Sequence, residues 1–100
     1  MKRYSVSIAY TRNRDTGKVC FHYWGRTDDI EETISNYKGD LQNWISRITD
    51  EKYEYREQTN DYRGIKITDS QTKKVVYEDY HVAEEYGYKK IIKTNKWVKL

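Results

Sequence analysis

Apolar and polar residues alternate through the first quarter of the chain. Within residues 3–12, Tyr4, Val6, Ile8 and Tyr10 alternate with Arg3, Ser5, Ser7, Ala9 and Thr11, which is the period of a half-buried strand. A second run of this kind covers residues 18–25. Polar residues around Gly17, which can adopt a positive φ, separate the two runs and are typical of a turn. The pattern predicts an antiparallel hairpin of two strands.

The same alternation predicts which side chains share a face of this hairpin. The face toward a core is expected to carry Tyr4, Val6, Ile8, Tyr10, Val19, Phe21 and Tyr23. The opposite face is then expected to carry Arg3, Cys20, His22, Trp24 and Arg26. Exposed Trp and His beside Arg are typical of protein interfaces and of surfaces that stack on bases. The alternative is that the C-terminal segment folds across this face and buries Trp24.

The period of the pattern changes after Thr27, which is a good helix N-cap followed by four acidic residues within five positions. Apolar residues then recur at intervals of three or four: Ile30, Ile34, Tyr37, Leu41, Trp44 and Ile48. This spacing predicts an amphipathic helix over residues 28–49. A break at Gly39, with Asp40 capping a second helix, is the alternative. The apolar stripe favours packing on a sheet over pairing with a partner helix.

The second half of the chain is typical of a β-meander. We predict a strand beginning at residues 53–55, a turn at 60–64, a strand around 65–67, a turn at 69–72 and a strand over 74–80. Residues 83–86 can open a short helix that Gly87 interrupts, and residues 91–98 can form a small hairpin or a last strand.

These elements predict a single domain spanning residues 1–100, since one hundred residues leave no room for a second core. The predicted class is α+β. A single antiparallel sheet, in the order β-β-α-β-β-β, carries the long amphipathic helix on one face.

Composition narrows the setting in which the chain works. Cys20 is the only cysteine, so no intrachain disulfide can form. The first residues contain no apolar segment typical of a signal peptide, and no stretch approaches the roughly 20 apolar residues that span a bilayer. We expect no membrane association and a location in a reducing cytoplasm, which is the bacterial host cytoplasm if a phage encodes the chain.

The strongest charge asymmetry lies in the last twelve residues, which contain five lysines and no acid. Because the whole chain has a net charge of +3, the first 88 residues sum to −2 and this tail to +5. Clustered lysines favour polyanions or an acidic protein surface.

No catalytic signature accompanies this charge pattern. Cys20, His22 and His81 are the only soft metal ligands, and they lack the paired spacing of a closed zinc site. A cysteine inside a strand is typical of a small buried hydrophobe, although His22 is close enough along the strand to serve as its base. Glycine-rich phosphate loops and zinc-protease motifs are absent. We therefore predict no enzyme activity, no catalytic residue, no metal and no cofactor.

Two stretches, Lys52–Tyr62 and Lys89–Lys96, are rich in Tyr, Lys, Asn, Glu and Asp. In this general character the chain resembles the small stand-alone proteins of bacteriophages that infect low-GC bacteria. The resemblance implies a stoichiometric inhibitor or modulator of a bacterial protein, anti-CRISPR proteins being one such type. It assigns a role to no particular residue.

The leading hypothesis is a non-enzymatic protein-binding module that acts on a bacterial protein or nucleoprotein complex, such as a nucleic-acid-handling or defence machine. The alternative is direct nucleic-acid binding through the lysine-rich tail and exposed aromatics. Contact should centre on aromatics flanked by cations. The predicted binding residues are His22, Trp24, Arg26, Lys93, Lys96 and Trp97.

Overall fold

A computed structural model describes residues 2–12, 15–16 and 18–100. Its strands and helix follow the chain in the order β1 Tyr4–Arg12, β2 Val19–Thr27, α1 Ile30–Thr49, β3 Tyr62–Asp69, β4 Val75–Val82, β5 Tyr88–Ile91 and β6 Lys96–Lys99. Short 3-10 turns occupy Arg56–Gln58 and Ala83–Tyr86. The predicted turn at Gly17 and the predicted facing of the Tyr10 side chain lie outside the described part of the chain.

The first four strands form one antiparallel sheet in the order β2-β1-β3-β4. Helix α1 packs on one face of it, over the apolar side chains of Val6, Ile65 and Ile67. Strands β5 and β6 form a separate two-stranded antiparallel sheet. The α+β class, the antiparallel sheet and the helix on one face are confirmed, and the C-terminal hairpin predicted as one of two alternatives is present.

Helix α1 runs without interruption through Gly39, so the alternative of a break there is wrong. Its N-cap is Asp29 and not Thr27, because the Asp29 carboxylate accepts the backbone N–H of Glu32 at 3.0 Å. The predicted stripe faces the sheet. Its buried members are Tyr37, Leu41, Trp44 and Ile48, of which Trp44 and Ile48 are fully buried.

The segment after α1 differs from the prediction. Residues 53–55, predicted to begin a strand, lie in turns, and the predicted turn at 60–64 is wrong because Tyr62–Gly64 already belong to β3. The turn-rich segment folds back on the helix end, where the backbone carbonyl of Ile48 accepts the Arg56 guanidinium at 3.0 Å. Gly64 serves close packing in place of a turn, since a Cβ there would lie 3.0 Å from the Tyr80 Cβ.

A β-bulge reverses the predicted faces of β2 up to Trp24, whereas Arg26, opposite Ser5, lies on the face away from α1 as predicted. Val6 is opposite Gly25, whereas the next residue of β1, Ser7, is opposite Tyr23, so Trp24 is an extra residue in β2. The extra residue places His22 opposite Ile8, on the side of the sheet that carries α1. Phe21 and Tyr23 consequently lie on the other face of the sheet, which α1 does not cover and which we call the open face. The prediction had placed them toward the core. A one-residue shift of this kind exchanges the two faces of a strand.

Candidate functional site

Strand β2 is one edge of the four-stranded sheet. It is nine residues long, and from Val19 to Gly25 it contains no charged residue and no proline. Lysine, proline and inward-pointing charge are the usual devices that keep an exposed edge from pairing with another chain. Strand β4, the opposite edge, has such protection in Glu78 and Asp79. The protection of β2 is limited to its bulge, so its outer edge is available to a partner strand.

A groove of about 330 Å³ separates β2 from the first half of α1. The groove exists because the helix lies over β3, which leaves the inner side of the β2 edge uncovered. Its apolar wall consists of Val6, Ile8, Trp24 and Ile65. Its helical wall consists of Thr33, Asn36, Tyr37 and Asp40.

Two aromatic side chains project from the β2 edge on opposite sides. Trp24 borders the groove and is 64% exposed, and Tyr23 on the open face is 66% exposed. Phe21, also on the open face, lies beneath the Lys66 ammonium at 4.5 Å from the ring centroid. A strand added beside β2 would therefore meet an aromatic ring on each of its faces.

A chain of hydrogen bonds connects Tyr37, in the helical wall of the groove, to β4. The Tyr37 hydroxyl donates to the Asp79 carboxylate at 2.9 Å, and His81 contacts the same carboxylate at 3.0 Å. The other ring nitrogen of His81 lies 2.9 Å from Glu85. Burial, together with the Asp79 carboxylate, raises the pKa of Tyr37 well above its usual range. These bonds fix Tyr37 as a neutral, oriented wall of the groove.

The predicted residues on the first hairpin separate into two roles. His22 and Trp24 are exposed at the β2 edge. Arg26 is half-buried, and its guanidinium donates to the Lys2 carbonyl at 2.8 Å and to the Ser70 hydroxyl at 2.7 Å. Arg26 thus ties the end of β2 to the β3–β4 turn.

The C-terminal residues form a docked element that we call the lysine hairpin, residues 88–99. Its Trp97 indole donates to the Arg56 carbonyl at 2.6 Å, and the Arg56 guanidinium lies over the rings of Tyr88 and Trp97. Lys90 is buried and donates to the Thr59 carbonyl at 2.9 Å. Trp97 is therefore an anchor. The exposed lysines are Lys89, Lys93, Lys96 and Lys99.

The six predicted residues do not converge on one surface. Trp24 borders the helix at Tyr37, whereas Tyr88 of the lysine hairpin reaches the helix end at Thr49. Those two helix positions lie roughly 18 Å apart along the axis, at 1.5 Å per residue. The alternative that the C-terminal segment buries Trp24 is wrong, since that indole is exposed.

Sequence reasoning missed Tyr23 and the groove itself. The available signal was Gly25, because a glycine inside a strand pattern often marks a bulge. The groove had no local signal, since its walls come from three strands and a helix.

The candidate metal ligands are far apart. Cys20 and His22 are on β2 and His81 is on β4, at opposite edges of the sheet, about 14 Å apart at the usual strand spacing. Over residues 2–12, 15–16 and 18–100, no three His, Cys, Asp or Glu side chains gather as a metal site would require.

Comparison of the chain with protein-family models, with curated proteins and with solved structures finds no match. Within the described residues, no helix combines the length and apolarity that crossing a bilayer requires.

Proposed function

We propose that this protein is a non-enzymatic protein-binding module and that its contact surface is the outer edge of β2, with Trp24 and Tyr23 as the main contacts and His22 beside them. One observation carries the proposal. A nine-residue edge strand, uncharged from Val19 to Gly25, exposes two large aromatic rings, Trp24 beside an open groove and Tyr23 on the opposite face of the sheet. Addition of a partner strand to such an edge is a common mode of protein recognition.

The energetics of interfaces favour the same two residues. Binding energy concentrates in a few Trp, Tyr and Arg residues, at about 2 kcal/mol or more for each hot spot. Trp24 and Tyr23 are exposed before binding, so covering them removes a large apolar area from water. Arg26 and Trp97 contribute through the fold, because both are already engaged in intramolecular hydrogen bonds.

The finer proposal concerns the partner. The composition resembles small bacteriophage proteins, and we propose inhibition or modulation of a bacterial nucleic-acid-handling or defence complex in the host cytoplasm. A stoichiometric inhibitor needs only a binding surface, which agrees with the absence of a catalytic motif in the sequence.

The test is affinity capture from a bacterial lysate with three tagged proteins: the wild type, a Tyr23→Ala/Trp24→Ala double variant and a Tyr55→Ala control. Tyr55 is also an exposed aromatic, 51% accessible, but lies in the turn after α1. We expect a stoichiometric partner with the wild type and the control, and at least a tenfold loss with the double variant. Unchanged circular dichroism will show that the double variant folds.

Either of two results would contradict the proposal. One is recovery of no stoichiometric protein at native salt. The other is a partner that the double variant retains in full.

A second candidate function is nucleic-acid binding by the lysine hairpin. The observation that favours it is the set of four exposed lysines on this element, which contains no acidic residue to repel phosphates. Its prediction is argued below with the charge distribution of the molecule.

A further inference from the structure

We propose that the β2 edge accepts an extended segment in which basic residues alternate with apolar ones, so that the segment becomes a fifth strand of the sheet. The inference rests on the proposed function and names the chemistry of the partner. It follows from the charge of the groove rim, from the side chains on the two faces of β2 and from the main chain of the edge.

The helical rim of the groove is acidic. Asn36 and Asp40 line the groove, and Glu32 lies one turn earlier on the same helical face. Asp29, the N-cap, precedes Glu32 by three residues. We call these four residues, Asp29, Glu32, Asn36 and Asp40, the acidic rim. All four are exposed; three carry a carboxylate, and Asn36 is neutral.

Within the described part of the chain, one cation touches the acidic rim from the sheet. The Arg63 guanidinium pairs with Asp40 at 3.3 Å, at the end of the rim remote from Asp29. Among the described side chains, the three carboxylates of the rim and the one arginine paired with Asp40 sum to a net negative charge. Charge complementarity therefore selects a basic partner and rejects an acidic one.

An added strand would present alternate side chains to the two faces of the sheet. On the helix side, an Arg or Lys can stack on the exposed Trp24 ring and extend its charged end to Glu32 or Asp40. On the open face, an apolar side chain can pack beside Phe21 and Tyr23. The alternation of basic and apolar residues is thus the pattern that matches both faces.

A second copy of this chain is a poorer occupant. Antiparallel β2–β2 pairing would continue the sheet with both helices on one side, so that two acidic rims would face each other across the joint. Like charges in that arrangement oppose association. The segment that complements the edge therefore has to come from a chain with a basic strand.

The test uses two capped seven-residue peptides, one alternating Arg with Val (TRVRVRT) and one with Glu in place of Arg (TEVEVET). Binding to the full-length protein is measured by calorimetry at low and moderate salt. We expect the basic peptide to bind at least tenfold more tightly than the acidic one. Its affinity should fall as salt rises, because the rim carboxylates are exposed.

Two further measurements separate strand addition from general charge attraction. Two methylated peptides are compared, one with N-methyl groups on the Arg amides and one with them on the Val amides. Because only alternate N–H groups of an added strand point toward β2, one of these peptides should lose binding and the other should keep it. Glu32→Lys should weaken binding about fivefold, whereas Glu31→Lys, with the same charge change on the neighbouring position, should have less than a twofold effect. Ser35, one turn after Glu31, does not line the groove.

Several results would overturn the inference: equal binding of the two peptides, no binding of the basic peptide at about 1 mM, unchanged binding by both N-methylated forms, or equal effects of the two lysine variants. Light scattering that shows a dimer dissociated by Trp24→Ala would overturn it in favour of a second copy. If the peptides fail but the captured partner still depends on Tyr23 and Trp24, this inference fails and the protein-binding function stands.

Discussion

Trp24 shows how a single residue can decide the face that a whole strand presents. As the extra residue of the bulge, it shifts the register of β2 against β1 and places His22 on the side of the sheet that carries α1 instead of on the opposite face. The energetic cost of the bulge is local, whereas the register it sets with β1 extends from Tyr23 to Phe21, where a second shift between Ala9 and Thr11 changes the register again. The exposed indole beside the groove is the direct result.

Asp69 provides a prediction at the residue scale. Its carboxylate accepts the Arg3 guanidinium at 2.8 Å, and that hydrogen bond lowers the pKa of Asp69 to about 2. Because the pKa of Asp69 is lower in the folded protein than in the unfolded chain, where it is near 4, the ionised carboxylate stabilises the fold. This stabilisation is fully present above pH 4 and is lost as the pH falls through 2. The melting temperature of Asp69→Asn should therefore lie below that of the wild type at pH 7.

Thermal melts of both proteins at pH 7, 4 and 2 check this expectation. The difference in melting temperature should shrink below pH 4 and be mostly lost at pH 2. A difference that is the same at pH 2 and pH 7 would show that Asp69 acts through packing and not through its charge.

At the scale of elements, the helix and the strands place opposite demands on glycine. Gly39 lies on the exposed side of α1, where an added Cβ would meet nothing within 4 Å. Gly64 lies inside β3, where a Cβ would lie 3.0 Å from the Tyr80 Cβ and 3.1 Å from the Asp79 carbonyl oxygen. The same substitution should therefore have opposite effects in the two elements.

We predict that Gly39→Ala raises the free energy of unfolding by about 0.5–1 kcal/mol, because alanine loses less conformational entropy in a helix. Gly64→Ala should lower it by about 1–3 kcal/mol through overpacking of β1, β3 and β4. Urea denaturation of the two variants beside the wild type measures both values. If Gly64→Ala were neutral, the strands would be able to separate without cost and the close packing would not constrain the sheet.

At the scale of the whole molecule, opposite charges occupy different elements. The acidic rim lies along the first half of α1, and the lysine hairpin packs against the segment after the helix. The hairpin lysines are exposed while Trp97 and Lys90 hold it in place, so changing the exposed lysines should leave the fold intact. This separation allows the two candidate functions to be tested independently.

The second candidate function predicts that Lys93→Glu/Lys96→Glu weakens nucleic-acid binding and lowers the slope of log affinity against log salt by about 2. A mobility-shift titration at low and moderate salt measures both quantities. The control is Lys38→Glu/Lys52→Glu, which has the same net charge but changes exposed lysines on other elements. Melting temperatures should stay near that of the wild type for both, as is usual for surface substitutions.

Two outcomes would remove nucleic-acid binding from consideration. One is no shift with the wild type even at low salt, and the other is a loss of binding by the control variant as large as that of the hairpin variant. In the second case the effect would follow net charge and not the lysine hairpin.

The sequence by itself determined the fold class, the first hairpin and the helix, but not the segment after the helix, where residues 53–55 form no strand and β3 already begins at Tyr62. The alternation of apolar and polar residues predicted β1, and the spacing from Ile30 to Ile48 predicted α1. Both patterns are periodicities within a single segment of the chain. For the C-terminal residues the local pattern left two alternatives, a small hairpin or a last strand, and the structure has the hairpin. These features are predictable because main-chain geometry relates sequence spacing directly to a face of a helix or strand.

Only the tertiary structure decided the surfaces. The bulge at Trp24 depends on the register between β1 and β2, and the anchoring of Trp97 depends on Arg56, 41 residues away. The groove arises because α1 lies over β3 and leaves the β2 edge uncovered. Such features depend on how distant segments pack against each other, so the periodicity within one segment cannot predict them.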